Sequence, residues 1–296
     1  MNLYESFLAH IQKEGFSGRD IRFLGAHKLL KEKASKYRSI NDYSKKIGIN
    51  NGSLSYMLIG KRAIPLSLLD KNMDLSKYKV IIGNSNIPIR IPKEMTKELA
   101  YLVGVLRDGT VSQESKDEYV VAFYNTNKEL LKTVSSFLRK IFDIEPVVEK
   151  HWSNVYRVRV RSKTLYLFFK LIFSARKKQA DWDTPKLIRK SNDLIKKYYI
   201  TGFFDAEGGC PNLEKKISKK RKNMYIKFVQ KNKESLIFIK EHLGKANIQT
   251  GKIYWGDGEY VFKISNSSIP SFCRYVKPFH SLKALRLKLL YENFTL

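Results

Sequence analysis

The stretch YYITGFFDAEG at residues 198–208 decides how this sequence is interpreted, because it is apolar on nearly every side and ends in a carboxylate and a glycine. A second stretch of the same kind, LAYLVGVLRDG, occupies residues 99–109. A helix that is apolar all round has to be buried, so we predict two core helices that each hold an acid rigidly at one end. Gly104 and Gly202 would allow these helices to approach each other closely.

Each stretch is followed by a copy of the same longer pattern. YVVAFYNTNKELLKTVSSFLRKI begins at Tyr119, and MYIKFVQKNKESLIFIKEHLGKA begins at Met224. Both copies alternate as a strand does and then run through NKE into an amphipathic helix, with Asn127 and Asn232 suited to be the N-caps. A second strand and helix follow in both copies. Each half is therefore predicted to run helix, hairpin, helix, hairpin, helix, which is an α+β arrangement.

The repeats divide the chain into three predicted parts. The first half occupies residues 91–184 and the second half residues 185–296. The segment GNSNIPIRIPKE at residues 83–94 interrupts the helical pattern with Gly, Asn, Ser and two Pro, so we expect a linker there. Residues 1–90 would then form an N-terminal domain.

The acids at the helix ends, Asp108 and Glu207, would meet on a pseudo-twofold axis if the halves pack through these helices. Neighbouring carboxylates repel each other unless a cation lies between them. Mg²⁺ is the natural candidate, since hard cations take oxygen ligands and share carboxylates with phosphate. One such motif alone would be interpreted as an ordinary capped helix end. Two copies before matching modules favour a metal site.

The motif YYITGFFDAEG and the surrounding repeat resemble the LAGLIDADG homing endonucleases, of the monomeric two-motif type found in archaea, over residues 95–296. The resemblance implies two pseudosymmetric αββαββα halves whose antiparallel sheets form a saddle over double-stranded DNA. It also implies Mg²⁺-dependent hydrolysis of both strands at two adjacent active sites, which leaves short 3′ overhangs. Asp108 and Glu207 would be the catalytic, metal-binding acids.

The first motif departs from the family's usual form. Asp108 follows Gly104 by four positions, whereas Glu207 follows Gly202 by five, and Arg107 stands where a small residue is usual. We therefore expect a different helix register at this end. The departure leaves open whether both strands are cut with equal efficiency.

Further side chains are expected beside the acids from their positions against the family pattern. Gln230, and Asn125 in the first copy, each end a strand and would hold water or metal. Lys283 in KPFHSLKAL resembles the family's active-site lysine, and Lys177 or Lys178 is its counterpart in the first half. Such groups would help to activate water and to stabilise charge on the phosphate oxygens.

The composition points to a polyanionic partner. Lys and Arg total 56 against 28 acids, so the formal net charge is +28, which favours nucleic acid and opposes self-association; we expect a monomer. Cys210 and Cys273 form no CxxC, so a disulfide framework and a cysteine zinc site are excluded. The longest apolar stretch, residues 164–175, is shorter than the roughly 20 residues of a membrane span. We expect a cytoplasmic, nucleoid-associated protein without a membrane partner.

Two segments of the halves are predicted to contact DNA. The strand YRVRVR places three arginines on one face by its period of two, where they would read bases or bind phosphates: Arg157, Arg159 and Arg161. The run EKKISKKRKN at residues 214–223 is predicted to be an exposed hairpin tip whose phosphate contacts make binding sensitive to salt. Its candidate contact residues are Lys216, Lys219, Lys220 and Arg221.

Residues 39–71 have the pattern of a helix-turn-helix, with a short amphipathic helix, a turn around Gly48 and a second helix from Asn51 to Ile59. The segment resembles the Cro/repressor type, so we expect the N-terminal domain to be all-α. The candidate recognition residues are Asn51, Ser53, Ser55 and Tyr56, with Lys61 and Arg62 toward the DNA backbone. A three-helix packing module without DNA contact is the alternative.

The sequence thus predicts an intron-encoded, site-specific homing endonuclease. An RNA-splicing maturase, for which intron RNA would be a partner, and a non-cleaving DNA-binding regulator are the alternatives. Paired acids that face phosphates favour the nuclease, because a regulator has no use for them. An intein is disfavoured, since the chain starts with Met1 and ends in NFTL without a closing His-Asn.

Overall fold

The computed structural model of the protein describes residues 2–70, 73–85, 87–176, 178–211 and 225–295. Within these residues the strands form three antiparallel sheets of four strands each. One sheet belongs to the N-terminal region, and each half has one of the other two. None of the described helices combines the length and the apolar character that crossing a bilayer requires.

The N-terminal region is a mixed module, so the prediction of an all-α domain is wrong. Its helices are α1 (Leu3–Lys13), α2 (His27–Ala34), α3 (Ile40–Ile47) and α4 (Asn51–Leu58), and its strands are β1 (Ile21–Leu24), β2 (Ile64–Pro65), β3 (Lys79–Ile82) and β4 (Ile89–Arg90). The strands pair in the order β2-β1-β3-β4. Each is two to four residues long, and β1 pairs with β2 and β3, which lie far from it in sequence, so local periodicity does not reveal the sheet.

The first half confirms the predicted element order. It comprises α5 (Lys97–Val105), β5 (Gly109–Gln113), β6 (Tyr119–Asn125), α6 (Lys128–Phe142), β7 (Val147–Trp152), β8 (Val155–Arg161) and α7 (Lys163–Phe173). Its sheet has the order β5-β6-β8-β7. Asn127 caps α6 by accepting a hydrogen bond from the amide of Leu130 at 2.8 Å.

The second half repeats this arrangement. It comprises α8 (Lys186–Lys190), α9 (Asp193–Glu207), β9 (Gly208–Gly209), β10 (Lys227–Gln230), α10 (Lys233–Lys245), β11 (Tyr254–Gly256), β12 (Glu259–Lys263), α11 (Ile269–Tyr275) and α12 (Ser281–Thr295). The sheet order β9-β10-β12-β11 matches that of the first half. Asn232 caps α10 as its counterpart caps α6, with 2.9 Å to the amide of Ser235. Two repeated αββαββα halves are therefore confirmed.

Helices α5 and α9 pack against each other at the centre of the molecule. A Cβ atom added to Gly104 would lie 2.2 Å from the carbonyl oxygen of Tyr199, and one added to Gly202 would lie 2.2 Å from that of Tyr101. Real atoms do not approach so closely, so each glycine is required for contact between the two backbones. This seam between α5 and α9 joins the halves.

The segment at residues 83–94 is not a free linker. Ile89 pairs with Val80 in the N-terminal sheet, and both Ile89 and Ile91 are buried. The Gly and Pro residues of the segment instead mark turns around a short strand.

The N-terminal module shares its core with the first half. Phe7 of α1 packs edge-on against Phe168 of α7, with 5.6 Å between the ring centroids. The amide of Ile82 in β3 donates a buried hydrogen bond of 3.0 Å to the hydroxyl of Thr164 in α7. The module is thus docked on the first half through both apolar and polar contacts.

Candidate active site

Asp108 and Glu207 end the two central helices, but the helices end differently. Helix α9 remains α-helical to its acid, whereas α5 gives way to a 3₁₀ turn, Leu106–Asp108. A 3₁₀ turn rises about 2.0 Å per residue and an α-helix about 1.5 Å, so the four steps from Gly104 and the five from Gly202 both advance roughly 7.5 Å. The 3₁₀ turn compensates for the residue that the first motif lacks.

The two acids lie in surroundings that disfavour their ionised forms. Burial raises the pKa of Glu207 to about 8, and the negative charges of Asp108 and Glu259 add to this, while Arg107 and Lys283 oppose it. Asp108 is an exposed residue, but neighbouring atoms partly desolvate its carboxyl group. This desolvation raises the pKa of the carboxyl to about 6. A cation beside the pair would favour the ionised carboxylates.

Lys283 lies where the resemblance placed it, in the groove beside Asp108. Its Nζ atom donates to the carbonyl oxygens of Phe204 and Asp205 at 2.7 and 2.8 Å, at the C-terminal end of α9. A helix C-terminus attracts cations. Burial lowers the pKa of this ammonium, while the neighbouring carboxylates, Asp205 first, oppose that shift. The site therefore has a nearly buried amine close to the acids.

The two predicted amide side chains lie beside different acids. Gln230 donates from Nε2 to Oε1 of Glu207 at 3.4 Å. Asn125 lines the groove with Asp108, and its Oδ1 accepts from the amide of Asn127 at 2.9 Å. Each half therefore supplies one amide side chain at the end of its second strand.

Of the two acids in the second motif, Asp205 has a structural environment. Its Oδ2 accepts from the hydroxyl of Tyr101 at 2.6 Å and from the amide of Phe279 at 2.8 Å. The Tyr101 contact crosses the seam between α5 and α9, so Asp205 fixes one helix to the other. One oxygen of this buried carboxylate, Oδ2, is thus occupied by protein donors, while Oδ1 has no partner in the described part of the chain.

Arg107 is fully buried although it directly precedes the first acid. Its guanidinium lies 4.7 Å from the ring centroid of Trp182 and 5.8 Å from that of Phe203. The Nη atoms approach the carbonyl oxygen of Asp183 at 3.4 Å and the hydroxyl of Ser235 at 3.3 Å. Nε has no partner in the described part of the chain. The site thus contains a buried cation where the family usually has a small residue.

Two residues at the site escaped the sequence prediction. Gln179 lies in the segment between the halves, residues 174–185, which joins α7 to α8. It donates from Nε2 to Oε1 of Glu207 at 3.2 Å and to the carbonyl oxygen of Arg107 at 2.6 Å. No repeat partner or periodic pattern marks it. Glu259 begins β12 at the position that Val155 occupies in the first copy. The acid at a position where the first copy has an apolar residue is the sequence signal that could have identified Glu259.

The structure does not bring Lys178 to the acids, and several other predicted basic residues lie outside the part of the chain that it describes. Lys178 is exposed, and no hydrogen bond or ion pair joins its side chain to Asp108 or Glu207 within the described residues. Its alternative, Lys177, lies outside them. The residues of the basic run also lie outside the described residues: Lys216, Lys219, Lys220 and Arg221.

The oxygen ligands of the acid pair suit a cation that is shared with a substrate. No group of three or more His, Cys, Asp and Glu side chains able to hold a metal occurs among the described residues. Mg²⁺ commonly binds through only one or two protein carboxylates and completes its shell with water and phosphate oxygens. Asp108 and Glu207, whose pKa values are raised chiefly by burial, fit such a shared site.

The three predicted arginines of β8 lie on the face opposite its buried valines and are already paired with acids. Arg157 and Arg159 both contact Oε1 of Glu149, at 2.7 and 2.9 Å. Arg161 contacts Glu118 at 2.8 Å. Phosphate or base acceptors would have to compete with these carboxylates.

Helices α3 and α4 lie where the helix-turn-helix pattern places them, joined by a turn in which Gly48 has a φ of 66°. Tyr56 is 55% exposed. Ser53 accepts from Arg62 at 2.8 Å, and Asn51 donates to Asn41 at 2.9 Å. The other two candidates, also exposed, are Ser55 and Lys61. DNA binding by this unit stays a prediction.

Residues 98–172 match a family described as LAGLIDADG-like domain. The chain is 31% identical over 196 residues to the homing endonuclease I-ApeI of Aeropyrum pernix, a match that covers 64% of this chain and 85% of that protein. A structure of I-DmoI in complex with DNA and Mn is 19% identical, with a TM-score of 0.46, and the match covers 62% of this chain and 97% of that one. For I-WcaI bound to its DNA recognition sequence, the identity is 14%, the TM-score is 0.45, and the coverages are 63% and 84%.

Proposed function

Because the chain belongs to the LAGLIDADG homing endonuclease family, we propose that it is a site-specific endonuclease that hydrolyses both strands of double-stranded DNA with Mg²⁺. The observation that carries this proposal is the pair Asp108 and Glu207. Backbone contact between α5 and α9 fixes the helix ends that carry both acids, with Asp108 in a groove, in a protein of formal charge +28. The positive charge would attract a nucleic-acid phosphodiester, and the two acids would hold the metal ion that its hydrolysis needs.

Each residue of the site would have its own role in the proposed reaction. Asp108 and Glu207 would hold Mg²⁺, which polarises phosphate oxygens and lowers the pKa of bound water. The half-buried ammonium of Lys283 would stabilise negative charge that develops on the phosphate. Gln230 and Asn125 would orient water beside their respective acids. The pseudo-twofold relation of the halves gives each strand its own site, so short 3′ overhangs are the expected product.

We assign the contact surfaces for DNA to basic elements of all three parts of the chain. In the halves these are the arginine face of β8 and the run at residues 214–223. In the N-terminal module it is the exposed side of α4 with the turn that follows. The chain carries both acids, so a monomer would suffice for cleavage.

A cleavage selection on a randomised duplex library with Mg²⁺ tests the proposal. We expect double-strand breaks at one preferred sequence with the wild-type protein. We expect none with the Asp108→Asn/Glu207→Gln variant, which should still bind that sequence. Breaks produced by the double variant would contradict the site assignment. An intact library that is enriched only by binding would instead identify a DNA-binding regulator.

A further inference from the structure

The segment between the two halves contributes directly to the acid pair. Gln179 begins a short 3₁₀ turn, Gln179–Asp181. Its Nε2 atom lies 2.6 Å from the carbonyl oxygen of Arg107 and 3.2 Å from Oε1 of Glu207. One amide group therefore contacts the ends of both motifs, namely the residue before Asp108 and the second acid itself.

The backbone that carries Gln179 is itself fixed. Asn232, the N-cap of α10, donates to the carbonyl oxygen of Ala180 at 2.8 Å. Trp182 is buried and donates from its indole nitrogen to the carbonyl oxygen of Phe173 at 3.1 Å. A side chain on so constrained a turn can hold a partner in one orientation.

The two acids are held unequally. Oε1 of Glu207 accepts from Gln179 and, at 3.4 Å, from Gln230. The carboxylate of Asp108 accepts no hydrogen bond from the residues that the structure describes. Two donors on one oxygen fix the rotation of the Glu207 carboxylate and direct its other oxygen to a cation or to water. Donors of this kind typically change metal affinity or activity by about 10- to 100-fold.

We propose that Gln179 is a positioning residue that orients Glu207 for the cleavage of one of the two DNA strands. The inference rests on the proposed function, since it assigns one acid to each strand. Loss of Gln179 leaves Glu207 with the single, longer contact to Gln230, while the Asp108 carboxylate loses no hydrogen bond and only the carbonyl oxygen of Arg107 before it loses a donor. The segment between the halves therefore supports one strand cleavage and not the other.

Gln179→Met tests this, because methionine keeps the length of the side chain and removes its amide. Gln113→Met is the matched control, since Gln113 is exposed and its amide bonds, among the described residues, only the carbonyl oxygen of Lys116, at 3.2 Å. The readout is cleavage of a duplex that carries a different label on each strand. In Gln179→Met we expect one strand to be cut about 10- to 100-fold more slowly. Nicked DNA should accumulate, with the other strand and the control unchanged.

A titration of the protein with Mn²⁺ supplies a readout apart from cleavage. Gln179→Met should bind Mn²⁺ about tenfold or more weakly at an unchanged melting temperature. Equal slowing of both strands with a lower melting temperature would overturn the inference in favour of a structural role, and unchanged cleavage would also overturn it. If the wild-type protein cuts no DNA, the proposed function fails. The Mn²⁺ titration then decides on Gln179 alone, with weaker binding in its support and equal binding against it.

Discussion

Arg107 shows how one large residue fits beside a closely packed motif. Its side chain reaches the rings of Trp182 and Phe203, while Gly104, three positions earlier, keeps the seam narrow. The guanidinium also favours the ionised form of Glu207. The residue that departs from the family pattern thus adds positive charge to an acidic pair.

The pKa values of Asp108 and Glu207 predict how stability depends on pH in EDTA. The folded protein keeps these two protons up to about pH 6 and about pH 8, whereas the unfolded chain releases them near pH 4. The folded state binds more protons between these limits, so its stability should fall as pH rises from about 4 to 8.

Melting temperatures across this range test the prediction. In Asp108→Asn/Glu207→Gln, neither amide titrates, so the decline should be shallower than in the wild-type protein. Mg²⁺ binds the ionised acids and should reduce the wild-type decline at pH 8. Parallel curves for the two proteins would contradict the prediction.

The sequence located some residues of the site and not others. Asp108, Glu207 and Gln230 could be found because a repeated motif gives their positions twice. Gln179 could not, since its role arises only where the segment between the halves meets the ends of α5 and α9. Whether Lys178 has a role is still a prediction, and its exposure gives that prediction no support.

Among the elements, the seam between α5 and α9 gives a matched pair of glycine substitutions. Gly104→Ala places a methyl group against the backbone of α9 and should lower the free energy of unfolding by at least about 3 kcal/mol. Gly244 lies in α10 with nothing within 4 Å of an added Cβ. Gly244→Ala should therefore stabilise the protein by up to about 1 kcal/mol.

Urea unfolding of both variants measures these two effects. If Gly104→Ala is no less stable than Gly244→Ala, the helices are not in backbone contact. The measurement needs no knowledge of the DNA target.

The helices and strands of the two halves were predictable because their apolar periodicity is strong and occurs twice. The N-caps Asn127 and Asn232 followed from the same repeat. The N-terminal strands were missed, since β2 and β4 are only two residues long and β1 pairs with β2 and β3 from distant parts of the sequence. The only sign of the 3₁₀ turn at Leu106–Asp108 in the sequence was that the first motif has one residue fewer than the second between its glycine and its acid.

For the whole molecule, the shared core predicts that the N-terminal module and the first half unfold together. Phe7 is fully buried against α7, so Phe7→Ala should cost about 3 to 5 kcal/mol. Calorimetry should show one transition for these two parts, moved to lower temperature in the variant. A separate early transition that alone responds to the substitution would indicate an independent module.

The N-terminal contribution to DNA binding is best tested by point substitutions. Lys61→Ala/Arg62→Ala should weaken binding and reduce the slope of log affinity against log salt by about 2, one for each phosphate contact. Lys132→Ala/Arg139→Ala removes the same charge from α6, which covers the buried side of the first sheet, and serves as the control. Equal slopes for the two variants would refute a role for the turn after α4.

Because of the backbone contact at Gly104 and Gly202, the positions of the two acids do not depend on the side chains that are proposed to contact DNA. Backbone atoms set the distance between the Cα atoms of the two acids, so a substitution on the sheets should leave that distance unchanged. The arginines of β8 pair with Glu149 and Glu118 and not with α5 or α9, so their substitution should leave that backbone contact intact. Variants selected for new targets should therefore change the sequence that is cut and retain the stagger between the two breaks.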